Sequence, residues 1–149
     1  MVDLCEVVKH FYYHPAMKGS NGIKSVLPAI LNSSSFLQTK YAHSIGQLNL
    51  SSLNFSPDHV WGIKNSSGKI DPYHALPEIF AGWSAEEMED NLSDLEELSD
   101  GGAALTAYSK LQFSDMLPNE REALISSLLK YCELDTLAMV MLMEELRNI

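Results

Sequence analysis

Residues Tyr131 to Leu142 read YCELDTLAMVML, one of the most apolar runs in the chain, and they belong to a C-terminal region with sustained 3.6-residue periodicity. That period predicts a helix with one face turned towards a core. Asp135 stands on the flank of the run, four residues after Tyr131, so the phenol and the carboxylate share a helix face. An ionisable group in that position calls for a partner. A buried structural hydrogen bond is one answer. A cation held through oxygen, with the phenol orienting an attacking water, is the other.

The region before it, LPNEREALISSLLK, is also periodic and carries acids near its start, where they suit the helix dipole. Two consecutive helices are expected, with a break near Lys130 to Cys132. Upstream, DGGAALTAYSKLQF (100–113) supplies a glycine pair and a helix of small residues. At the other end of the chain, Leu4, Val7, Val8, Phe11 and Tyr12 recur at helical spacing behind Asp3 as N-cap, giving a helix over 4–13. His14-Pro15 ends it, because the residue before proline is pushed from helical angles. PAMKGSNG reads as a loop. GIKSVLPAIL reads as a second helix that bends or restarts at Pro28, and NSSSFLQTKY as a cap followed by a short helix. In the middle, HVWGIKNSSGKIDPY predicts a small β hairpin turning at Asn65 to Gly68, and DPYHALPEIF an Asp-Pro helix start. The fold class is therefore mainly α with a small β hairpin, in a single domain over 1–149.

The formal net charge is −10 over 149 residues. Eight acids and no base fall between Ser84 and Asp100, while residues 1–83 are close to neutral and residues 101–149 mildly acidic. The overall charge argues against a generic nucleic-acid binder, but the charge outside that window leaves a phosphate-bearing partner open. Met88, Leu92, Leu95 and Leu98 would give the acidic segment a solvated helix with one narrow buried stripe. Cys5 and Cys132 are read as small buried apolar groups. Two cysteines and no signal peptide point to the cytoplasm, and no apolar stretch is long enough to span a membrane.

Several constellations bear on chemistry. Lys18, Ser20, Asn21 and Lys24 surround the start of the second helix, where free backbone N–H groups and two ammonium groups would hold a phosphate; helix capping alone also explains the pattern. His10 and His14 are four apart, but no second ligand pair accompanies them for zinc. Asp94 and Glu96 have the spacing of paired metal carboxylates on a strand. On a helix they point about 200° apart, which makes them a solvated face.

The runs FYYHPAMKGSNGIKSVLPAIL (11–31), SLNF (52–55), DPYHALP (71–77), DGGAALTAYSKLQF and YCELDTLAMVML, taken as a set, resemble a bacterial domain family of unknown function. That family stands at the C-terminal end of larger proteins with RecB-like or exonuclease-like nuclease regions. YCELD is similar to the third motif, Tyr-x-x-x-Asp, of DEDD-type 3′–5′ exonucleases with a ribonuclease H-like fold. The resemblance implies that Asp135 is a metal-binding carboxylate and Tyr131 its water-positioning catalytic partner, with Mg²⁺ or Mn²⁺ as cofactor and nucleic acid as substrate. Those enzymes also use an Asp-x-Glu on their first strand and a further Asp before the third motif, and both would precede MVDL. The expectation is thus the C-terminal helical portion of a longer nuclease-like protein, inactive and without bound metal by itself, and capable of self-association. The rival expectation is a non-catalytic helical protein-interaction module.

Overall fold

The computed structural model describes residues 3–76 and 101–148, with side chains of the second stretch described from residue 104 onward. The acidic segment 84–100 and its expected helix lie outside these residues. The chain divides into two compact units, residues 1–75 with 133–149, and residues 76–132.

In the first unit, α1 (Leu4–Phe11) starts where Asp3 accepts hydrogen bonds from the Cys5 and Glu6 N–H groups, as its spacing predicts. A 3-10 turn (Pro15–Met17) follows, capped by the His14 ring, and Lys18 leaves it in the left-handed region at φ 52°. Helix α2 (Ile23–Ser33) runs unbroken through Pro28. Ser34 ends α2 and caps α3 (Ser35–Tyr41) by accepting from the Leu37 N–H. The segment after α3 folds back on that helix's end. The Gly62 N–H donates to the Tyr41 carbonyl at 2.8 Å. A Cβ at position 62 would lie 2.7 Å from that oxygen, so only glycine fits.

The expected hairpin is not formed. Its turn exists, closed by Gly68 N–H to Asn65 O at 2.9 Å, but pairing stops at a single Lys64–Ile70 bridge. The Asn32 amide of α2 donates to Ile70 O at 2.8 Å and accepts from Ile70 N–H at 2.9 Å, so a side chain satisfies both main-chain groups of Ile70. Residues 71–76 form turns in place of the expected helix start.

Helices α4 (Gly101–Phe113) and α5 (Pro118–Asn148) complete the chain. Within the second unit Ala107 and Leu111 pack against Leu124, with Met116 and Leu128 at the margin. Arg121 Nη1 donates to the Leu111 carbonyl at 2.7 Å, satisfying an end group of α4. The expected break near Lys130 to Cys132 is absent, and α5 is one helix of 31 residues. No proline or glycine stands there to interrupt it. Both cysteines are exposed, not buried as expected.

Residues of α5 from Glu133 onward belong to the first unit. Leu134, Ala138, Met141 and Leu142 are buried on one stripe, and Leu142 borders a cleft with Val8 and Val26. Lys40 Nζ lies 2.6 Å from Glu144 Oε1, and the Tyr41 hydroxyl donates to Glu144 Oε2 at 3.0 Å. Burial first, then the Glu144 carboxylate, push the Tyr41 hydroxyl above the usual tyrosine range. A raised value means that the folded state keeps a proton which the unfolded chain loses. The associated stability is complete below pH of about 10 and declines as pH rises further. Urea unfolding between about pH 9 and pH 11 is therefore expected to show stability falling with pH, and Tyr41→Phe should flatten that slope.

Candidate functional site

The residues singled out by the sequence separate in space. Lys18 is exposed, and its backbone N–H closes the 3-10 turn on Pro15 O at 3.1 Å. The Ser20 hydroxyl accepts from the Gly22 N–H at 3.3 Å, a local turn contact before α2, which has no side-chain cap. Asn21 lines an apolar cleft of about 480 Å³ with Asp3, Cys5, Val8 and Leu142. Lys24, one turn further along, reaches elsewhere: its Nζ stands 5.6 Å from the centroid of the Tyr73 ring.

Tyr73 connects Lys24 to Asp135. Its hydroxyl donates to Asp135 Oδ1 at 2.6 Å, the short distance typical of a hydroxyl on a carboxylate. Asp135 is half-buried, and its Oδ2 has no hydrogen-bond partner among the described residues. Lys24 from the MKGSNGIK stretch and Asp135 from YCELD therefore both lie beside one side chain, the first near its ring and the second on its hydroxyl. Nothing in local spacing links Tyr73, within DPYHALP, to a residue 62 positions away. Tyr131 stands one turn before Asp135 on α5, belongs to the second unit and is buried.

The other acids of this part of α5 are also engaged. Glu133 Oε2 accepts from the Asn54 N–H at 3.1 Å and from Asn54 Nδ2 at 2.6 Å. Glu133 also borders an apolar cavity of about 290 Å³ lined by Ile45, Leu50, Trp61 and Val140. Trp61 packs edge-on against Phe55 and His59 at 4.5 and 4.3 Å between ring centroids, and its buried indole N–H has no acceptor among the described residues. The two histidines at helical spacing serve local backbone: His10 Nδ1 is 2.8 Å from Glu6 O, and His14 Nδ1 accepts from the Ala16 N–H at 3.2 Å.

For a cation, the donor set is one hard oxygen ligand, Asp135, with a hydroxyl fixing one of its oxygens. That fits a single position in the coordination shell of Mg²⁺ or Mn²⁺. No group of three His, Cys, Asp or Glu side chains converges among the described residues to complete such a shell. No described helix is long and apolar enough to cross a membrane.

No protein-family profile matches the chain, and no curated protein or solved structure is significantly similar to it.

The contrast between neighbours on α5 is testable. Leu134 is fully buried, and Leu134→Ala should cost about 3 kcal/mol in urea unfolding. Asp135→Asn preserves an oxygen acceptor for Tyr73 and should cost less than about 1 kcal/mol. Equal losses would make Asp135 a packing group.

Proposed function

We propose that this chain is the C-terminal portion of a metal-dependent 3′–5′ exonuclease-like protein acting on nucleic acid, and that it does not hydrolyse nucleic acid by itself. Asp135 would provide one carboxylate to a divalent-cation site, Lys24 a phosphate contact, and Tyr131, by likeness to the exonuclease motif, a water-orienting phenol. The observation that supports this reading is the meeting of Lys24 and Asp135 at Tyr73. Residues drawn from separate parts of the resembling set come together around a half-open carboxylate. Lys18, Ser20 and Asn21 do not join them and are left with their local roles.

Mg²⁺ or Mn²⁺ bound at such a site would stabilise charge on the scissile phosphate and lower the pKa of an attacking water. One carboxylate cannot hold a pair of such ions against their charge, so further acids must come from another segment or chain. What this chain would provide is Asp135, held by the Tyr73 hydroxyl, with Lys24 near the same ring.

A second reading, the non-catalytic helical interaction module, draws on the apolar side chains that the second unit presents to solvent. Phe113 is 89% exposed, and Leu105, Tyr108 and Leu117 are more than half exposed. Clusters of this kind commonly mark interaction surfaces.

The purified 149-residue chain with Mn²⁺ is expected to leave end-labelled single-stranded DNA and RNA intact. A longer product of the same gene that carries an Asp-x-Glu strand and a further Asp should degrade one of them. In that product Asp135→Ala should lower the rate at least about 100-fold. Degradation unaffected by Asp135→Ala would refute the site. For the second reading, sedimentation equilibrium should show self-association that Phe113→Ser weakens; a strictly monomeric wild-type chain would remove its support.

A further inference from the structure

Trp61 is 4% exposed, and its indole N–H is the one buried side-chain donor without a hydrogen-bond partner among the described residues. A donor in that state costs free energy that an acceptor would recover. The same side chain is a wall of the cavity of about 290 Å³, whose lining comes entirely from the first unit. Ile45, Leu50, Leu137 and Val140 make that lining mostly apolar. Glu133 brings a negative charge to it, and no lysine, arginine or histidine stands among the lining residues.

Three properties of an occupant follow. The volume is nearly twice the ~150 Å³ of an apolar cavity that takes benzene, so a ring with a short substituent fits. A carboxylate without a compensating base disfavours an anion. The orphaned N–H calls for an acceptor. We infer that this cavity binds a small neutral cyclic molecule bearing a carbonyl or ether oxygen, with that oxygen accepting from the Trp61 N–H. The N–H is closed off from solvent, so the ring must turn to meet the ligand, and the cavity beside it gives the room. Phe55 and His59 hold the indole through edge-on ring contacts and its N–H makes no hydrogen bond, so the turn breaks no directional bond of the indole. The cleft bordered by Asp3 and Val26 is larger, but no buried donor there lacks a partner among the described residues. The inference is independent of the nuclease reading, since it uses neither Asp135 nor Lys24.

The test uses the 149-residue chain and three probes of matched shape. They are acetophenone, α-methylstyrene, in which a methylene replaces the carbonyl oxygen, and benzoate, which adds a charge. Binding is followed by NMR through the indole N–H signal of Trp61, assigned by its loss in Trp61→Phe, and through the methyl signals of Ile45 and Val140. Acetophenone is expected to shift the indole signal and to bind about 10-fold more tightly than α-methylstyrene, the ratio that one hydrogen bond supplies. Benzoate should not bind. In Trp61→Phe the two neutral probes should bind equally. Val140→Trp, at a position 46% exposed, should fill the cavity and abolish binding of both. Equal affinities in the wild-type chain, with the indole signal unmoved, overturn the proposal. So does acetophenone binding that survives Val140→Trp, benzoate binding as tightly as acetophenone, or no binding of acetophenone at all. Each of these outcomes leaves the nuclease reading as it stands.

Discussion

A carboxyl group on an apolar helix stripe sets the terms on which the first unit is built. Leu134, Ala138, Met141 and Glu145 follow one another at helical spacing and all are buried, so Glu145 occupies a position where an unpaired acid would cost several kcal/mol. Its partner is the Ser34 hydroxyl. Ser34 has two further duties: its N–H closes α2 on Ile30 O at 2.8 Å, and its Oγ caps α3 at the Leu37 N–H at 3.2 Å. One serine thus ends a helix, begins the next and satisfies a third. The adjacent Glu144 takes Lys40 and Tyr41 from the other end of α3, so both ends of that short helix are tied to successive residues of α5.

The same device recurs earlier on α5, where Glu133 holds the backbone and side chain of Asn54, and Asp135 holds Tyr73. Residues 52–55 and 71–76 contain no regular structure, so little local hydrogen bonding fixes them. Ordering them costs chain entropy, and charge-assisted bonds to the helix offset part of it. The acids of this stretch of α5 therefore specify where the irregular segments of the first unit lie. An apolar stripe alone would not, because burial is nondirectional.

What the sequence made legible follows this division between local and distant interactions. The caps at Asp3 and Ser34, the end of α1 before Pro15 and the turn at Asn65 to Gly68 depend on neighbours within four residues, and each is where local chemistry puts it. The failures are of other kinds. The hairpin stops at one bridge, and Ile70 is held instead by Asn32, 38 residues away, which no local pattern announces. The break expected near Cys132 had no breaker residue behind it. Asp135 was legible as an acid needing a partner. That its partner in the first unit is Tyr73 was not, since no periodicity connects a turn to a helix so far along the chain.

A phenol on a carboxylate is ambiguous chemistry, serving equally as a tie and as the first element of a site. What distinguishes them is how much of the acceptor remains and what else is nearby. Where both oxygens are taken, as at Glu144, a ligand would have to displace bonds already made, and the free energy of the fold opposes it. At Asp135 one oxygen is unpartnered among the described residues, and the group is half-buried, so a ligand need displace only solvent there. The ammonium over the same ring adds an attraction of opposite sign within a side chain's length, a pairing of fields that a mere tie does not require.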